Sequence, residues 1–318
     1  MKTMPVFLAI ALSAACAQAQ ESYPNRALRL VVPYTPGAST DALSRAFAEA
    51  AGKVLGKPVV VENRGGGGTA IGTVAAKQAP ADGYTLLFGS GTMISTMHSL
   101  KEPGYKLSDF TAVVMLGDQY YVLVTPASVP AKNVREFIAH ARANNGKLNY
   151  AMLGTGSPSH VLADRLGRAA GFQWQEIAFR GGTPAMQALL SGDVQAYFAT
   201  QTFAITFLNS DRVRVMAIGA EDRGEFLPDT PSFREIGIEG VVEKGWYALF
   251  VRAETPPAIV ARLRAAGAEA MKSDWMKAQL KTQGLSSYKG SIESFPAALA
   301  KESAEKAEEA KRYGGAAQ

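Results

Sequence analysis

From Arg26 onward the apolar positions alternate between two patterns. Short uninterrupted apolar runs mark strands buried on both faces, and apolar residues at helical spacing mark amphipathic helices. Ala27-Leu28-Arg29-Leu30-Val31-Val32 predicts the first strand. Ser39-Thr40-Asp41 then supplies capping residues and an acid for a helix in which Leu43, Phe47, Ala50 and Val54 share a face, and Gly56 ends it. Val59-Val60-Val61 predicts a second strand, 69–77 a short helix and 85–88 a third strand, followed by two strand-like runs at 111–116 and 120–125. A second series places helices at 134–143, 157–170 and 184–190, and strands at 148–151, 177–179, 194–198 and 213–218. The apolar strand 246–251 leads into helices at 256–272, 274–283 and 292–312. In the last of these, Glu302 with Lys306 and Glu308 with Arg312 stand at i,i+4 spacing, which reads as a solvated charged face.

Strands alternating with helices predict an α/β fold. Two such series, joined by the apolar stretches Tyr121-Val122-Leu123-Val124 and Trp246-Tyr247-Ala248-Leu249, predict two lobes between which the chain crosses twice. Residues 20–124 and 247–318 form lobe 1 in this reading, 125–246 form lobe 2, and a ligand cleft lies between them.

Composition narrows the classes. The chain has 318 residues, 47% of them hydrophobic and 19% charged, which excludes disordered, collagen-like and low-complexity proteins. The net charge of +5 is spread along the chain, without the basic stripe that nucleic acid requires. Lys2, an apolar run over 6–15 and the small-x-small triplet Ala17-Gln18-Ala19 read as a signal peptide cleaved before Gln20. The run is shorter than the roughly 20 residues that span a bilayer. Cys16 offers a competing lipoprotein reading, weakened by Ser13 in place of a leucine. Cleavage removes Lys2 and Cys16, leaving a net charge of +4 and no cysteine for thiol chemistry, thiolate metal sites or disulfides.

The chemistry gathers in loops after strands, where α/β sheets place their ligands. Tyr34 through Asp41 follow the first strand, and Gly89-Ser90-Gly91-Thr92 the third. In the second series the loops are Gly154-Thr155-Gly156-Ser157-Pro158-Ser159-His160 and Arg180-Gly181-Gly182-Thr183-Pro184. Each combines glycines, which let a ligand approach the backbone, with hydroxyls and helix-start N–H groups that attract anions. Ordinary caps and turns use the same residues, and it is the occurrence of two such loops in each lobe that favours a cleft.

With these loops the chain resembles the Bug family of periplasmic solute receptors of tripartite tricarboxylate transporters. The matching runs are Leu30 to Gly37, Ser39-Thr40-Asp41, Val59 to Arg64, Ala81 to Leu87, Gly146 to Ala151, Gly154 to Ser157 with Ser159-His160, Leu227 to Ser232, and Pro256 to Leu263. The resemblance implies a Venus-flytrap fold, an exported periplasmic monomer without cofactor or metal, and a small organic carboxylate as ligand. Large and small integral-membrane transporter subunits would be its partners. It implies that Gly37, Ala38, Ser39, Thr40 and Asp41 face Gly154, Thr155, Gly156, Ser157 and Ser159 around one carboxylate. Arg180, Gly182, Thr183, Pro184 and Ala185 would line the distal cleft, with Tyr34, Ser90 and Thr92 nearby. Three departures stand out: Ala38 for a second glycine, Phe179 for a tyrosine, and Ala199-Thr200-Gln201 where many relatives carry an aspartate suited to an amine. A ligand without an amine is expected, and Tyr34, Phe179 and Phe203 suit an aromatic one.

Two other functions stay open in the sequence. A receptor for a sensor kinase would share every feature above. A hydrolase would use Ser157 with His160, but the G-x-S-x-G elbow is absent. Gly65 to Gly68 lacks the lysine and serine of a phosphate loop, and His98 and His140 lack paired metal-ligand spacing.

Overall fold

Five residues of near-continuous apolar character form β1 (Leu28–Val32), in which all but Arg29 are buried. In the computed structural model, which describes residues 23–37, 39–288 and 290–313, this strand is the centre of a parallel trio. The signal peptide expected from the sequence, Cys16 and Ala38 lie outside the described residues. Helix α1 (Ser39–Leu55) connects β1 to β2 (Val59–Asn63), and Gly56 follows it at φ 67°, the left-handed conformation of a helix stop. Helix α2 (Ala70–Lys77) leads to β3 (Thr85–Ser90), and α3 (Gly91–Ser99) follows at once.

The two strand-like runs between 111 and 125 are one strand, β4 (Phe110–Pro126). Its register shifts between Ala112 and Val114 and between Met115 and Gly117, so bulges fall at Val113 and Leu116, while Gly117, Asp118 and Gln119, which interrupt the apolar pattern, stay paired with β9. At Gly117 a Cβ would stand 2.9 Å from the Ser286 carbonyl oxygen, so glycine is required there.

The second series is α4 (Val134–Ala143), β5 (Asn149–Met152), α5 (Pro158–Ala170), β6 (Gln175–Ala178), α6 (Gly182–Ser191), β7 (Ala196–Thr200), the short α7 (Gln201–Ile205) and β8 (Val213–Ile218). The chain then returns through β9 (Lys244–Arg252) to α8 (Pro257–Lys272), α9 (Asp274–Thr282) and α10 (Phe295–Arg312). Strand order is β2-β1-β3-β9-β4-β7-β5-β6, with β8 also on β4. As far as Tyr120, β4 pairs with β9; from Tyr121 it pairs with β7 and β8. One strand therefore belongs to both halves.

Each half buries two faces. In the first, Leu30, Phe47, Phe88 and Leu249 pack on one side, and Leu87, Met93, Phe250 and Phe295 on the other. In the second, Phe137, Leu162 and Phe198 oppose Val122, Met186 and Leu189. Strand alternation sends Tyr121 and Leu123 to one of these clusters and Val122 and Val124 to the other. Trp246 packs in the first half. No helix among the described residues is long and apolar enough to cross a membrane.

Helix α10 differs from the solvated face its charges suggest. Lys306 is only 5% exposed, and its Nζ donates to Glu243 at 2.5 Å and Glu309 at 2.9 Å rather than to Glu302. Glu308 pairs with Lys311 at 2.7 Å rather than with Arg312. Glu302 accepts a hydrogen bond from Trp246 Nε1 at 2.6 Å. Burial pushes its carboxyl up to about 7, against the lowering influence of that bond and of Lys306. A carboxyl raised in the fold contributes stability below its ordinary 4.5, and that contribution is lost as pH rises through about 7. Glu302→Gln keeps an acceptor for Trp246 and cannot ionise. Relative to the parent, it should lose on the order of 2 kcal/mol less stability between pH 5 and 8. Denaturant titrations at the two pH values measure this, and an unchanged difference would place the titration elsewhere.

Candidate functional site

Strand register brings the polar loops together. Ser90, at the end of β3, pairs with Tyr247 of β9, and Thr200, at the end of β7, pairs with Tyr121 of β4. The carboxyl ends of the parallel strands in both halves thus meet at the crossing strands, where such folds hold ligands.

In the first lobe Gly37 has φ 82°, which favours glycine, and a Cβ there would meet nothing within 4 Å. Its N–H donates to Asp41 Oδ2 at 3.1 Å. The Asp41 carboxylate also accepts from Arg45 Nε at 3.1 Å and Asn63 Nδ2 at 3.0 Å. Burial alone would raise this carboxyl, but the bonds from Arg45, Gly37 and Asn63 outweigh it and hold the pKa below the usual aspartate range. Asp41 is thus engaged in shaping its own loop. Beside it Thr40 is buried, and its Oγ1 has no hydrogen-bond partner among the described residues. Ser39 begins α1 and is partly exposed. Tyr34 and Ser90 share a hydroxyl–hydroxyl bond of 2.6 Å, and Ser90 also caps α3 by accepting from the Thr92 N–H at 3.2 Å. Burial pushes the Tyr34 phenol up, while its bonds to Ser90 and Thr92 pull it down.

In the second lobe Gly154 and Gly156 adopt φ 116° and 73° on either side of Thr155. Ser157 caps α5, its Oγ accepting from the His160 N–H at 3.4 Å and lying 3.0 Å from Ser159 Oγ. Ser159 Oγ in turn accepts from the Leu153 N–H at 3.1 Å. His160 Nδ1 accepts from the Gly156 N–H at 2.9 Å, which assigns the ring proton to Nε2, the donor to Glu176 at 3.2 Å. Ser157 therefore meets the His160 backbone, and both ring nitrogens are engaged elsewhere. This is a braced loop without a nucleophile–base pair.

The third loop is more open. Arg180, Thr183 and Pro184 are exposed, and Arg180 makes no ion pair among the described residues. A Cβ on Gly182 would stand 3.4 Å from the Tyr197 hydroxyl and 3.9 Å from the Phe203 ring. Ala185 points into the second-lobe core with Val122 and Met186. Among the bonds that join the lobes, Ser99 Oγ donates to the Thr155 carbonyl at 3.1 Å, and Gln201 Nε2 to the Gly284 carbonyl at 2.7 Å.

Sequence reasoning missed the tyrosines of the crossing. Burial pushes the Tyr121 phenol well up, with Tyr247, Glu243, Tyr34 and Tyr197 adding to it. Burial likewise raises Tyr247, helped by Tyr34 and Tyr197 and opposed by a bond to Gln119. These phenols come from four segments and lie near enough to influence one another. The only signal for them was a hydroxylated aromatic at each otherwise apolar crossing stretch.

Two α/β lobes linked by crossing strands, with glycine- and hydroxyl-rich loops between them, define a two-lobed Venus-flytrap binding protein. The chain belongs to the tripartite tricarboxylate transporter receptor family, whose model matches residues 43–311. It is 34% identical over 284 residues to Protein BugT of Bordetella pertussis, covering 88% of this chain and 86% of that one. The solved periplasmic binding protein BugD superposes with a TM-score of 0.84 at 28% identity, covering 92% of this chain and 99% of its own. MatC of Rhodopseudomonas palustris, solved with bound malate, matches with a TM-score of 0.82 at 28% identity, covering 91% and 100%.

Proposed function

We propose that the chain is an exported periplasmic receptor that captures a small carboxylate lacking a free amine and delivers it to the large and small membrane subunits of a tripartite transporter. One observation carries the ligand class. The facing loops offer neutral donors, while the acid among them, Asp41, is already bound to Arg45, Asn63 and Gly37. A carboxylate finds N–H and hydroxyl groups at the starts of α1 and α5, whereas an ammonium finds no uncommitted carboxylate in these loops. Gln201, in the stretch where many relatives have the acid, spends its amide on Gly284. MatC, whose bound malate has carboxylates and no amine, supports the same class. In this reading β4 and β9 are the hinges, bending near Tyr121 and Lys244, and closure brings Thr40 and Ser157 to one ligand.

A thermal-shift screen of the mature protein against carboxylates, amino acids and sugars tests the proposal. An amine-free mono- or dicarboxylate at 100 times its dissociation constant should add about 2.7 kcal/mol. A response confined to amino acids or sugars would overturn the ligand class.

A further inference from the structure

We propose that the last turn of α10 braces the Gly154–Ser157 loop from the opposite lobe, with Tyr313 as the positioning residue. The stem of α10 is anchored in the first lobe, where Phe295 and Leu299 pack with Trp246, Ala248 and Phe250. Its far end reaches the second. Glu309 and Tyr313, four residues apart and so on one helix face, both meet α5. Glu309 Oε1 accepts from Arg165 Nη2 at 2.6 Å, and the Tyr313 hydroxyl donates to Asp164. The Tyr313 ring lies 4.3 Å from the His160 ring, centroid to centroid, at 50°.

His160 carries the contact to the loop. It is 3% exposed, and Nδ1 accepts the Gly156 N–H, so the ring's position sets where the loop backbone stands. Were the ring to swing away, Gly156 would lose that acceptor. The first lobe grips the same loop again through α3, whose Ser99 hydroxyl donates to the Thr155 carbonyl. A Cβ on Gly156 would stand 3.0 Å from that hydroxyl oxygen, so the approach is close. Helices α3 and α10 are themselves joined by His98 Nε2 and Ser303 Oγ at 2.9 Å. The loop thus belongs to one lobe and is held from the other. In the proposed function this is the loop that receives the carboxylate, so the brace presets its donors; only that significance rests on the carboxylate reading.

Amide hydrogen exchange of the full mature chain without ligand tests the brace. An aromatic pair of this kind is worth a factor of about 2 to 10. Tyr313→Ala should therefore speed exchange in peptides covering 154–161 by about that factor, and leave peptides covering 37–44 unchanged. Tyr313→Phe keeps the ring against His160 and should stay near the parent rate. In a His160→Ala background the loop is already released, and adding Tyr313→Ala should change nothing further. Unchanged exchange in Tyr313→Ala, an equal rise in both loops, or additive effects in the double variant would overturn the proposal. Because no ligand enters the measurement, a failed carboxylate screen leaves this result standing, and the reverse also holds.

Discussion

Lys306→Met is expected to lower stability by about 3–5 kcal/mol, the usual cost of removing one partner from a buried ion pair. Lys306 is 5% exposed and is the ammonium between Glu243 and Glu309, themselves nearly buried. Arg165 reaches the same two carboxylates at 3.3 and 2.6 Å and the Val242 carbonyl at 2.6 Å. Methionine fills the stem's volume but leaves two carboxylates sharing one guanidinium. The melting temperature should fall on the order of 10 °C. Glu243→Gln in the same background removes the excess charge and should recover part of the loss. Lys301→Met is the control: its contact with Glu305 is 4.0 Å long and solvated, so the change should stay within about 0.5 kcal/mol. Equal melting temperatures for the parent and Lys306→Met would mean that this network contributes nothing net.

The same lysine shows where sequence reading stops. Spacing at i,i+4 looks identical on a solvated helix and on one lying across a lobe boundary. What separates them is Arg165, 144 residues from its partner Glu309, and no local pattern contains that pairing. Elements whose specification is local were legible. Strand β1 is an apolar run broken only by Arg29, and α1 carries its own first-turn acid and glycine stop, so both were predicted within about two residues. Helix α3 was not predicted, because its small and hydroxylated residues lack a clear apolar face. Distant groups support it: the Tyr105 hydroxyl donates to the Met93 carbonyl at 2.7 Å, and Thr96 Oγ1 to the Gly68 carbonyl at 2.5 Å. The break read into β4 came from Gly117-Asp118-Gln119, which the strand tolerates because these residues pair with Tyr247, Trp246 and Gly245 of β9 and Asp118 also exchanges backbone bonds with Ser286.

The candidate site divides along the same line. Its loops could be read because glycines at special backbone angles and capping hydroxyls are local signals. The roles within them could not. Asp41 is committed to Arg45 and Asn63, and Asn63 lies 22 residues away at the end of another strand. Tyr34 was read as part of the site, but Tyr121, Tyr197 and Tyr247 come from three other segments, and each looks in sequence like one more residue of an apolar strand.

Thr40→Val and Ser157→Ala should each weaken carboxylate binding by about 10- to 150-fold, yet differ in what they do to the fold. A hydrogen bond to a charged group contributes about 1.5–3 kcal/mol, and about 1.4 kcal/mol is a factor of ten. Water taking the place of the lost hydroxyl would move the result toward the lower end. The Thr40 hydroxyl is buried with no hydrogen-bond partner among the described residues, so valine, of nearly the same shape, removes an unsatisfied group. The melting temperature of ligand-free Thr40→Val should hold or rise while affinity falls. The Ser157 hydroxyl already caps α5 through the His160 N–H, so Ser157→Ala should cost about 1 kcal/mol of stability as well as affinity. Calorimetric titration, with a melting curve for each variant, separates the two effects. His160→Gln, acting through the loop, should weaken binding less than either. Unchanged affinity in both hydroxyl variants would remove the starts of α1 and α5 from the ligand site. Turnover of the bound acid that disappears in His160→Gln would instead return Ser157 and His160 to a catalytic reading.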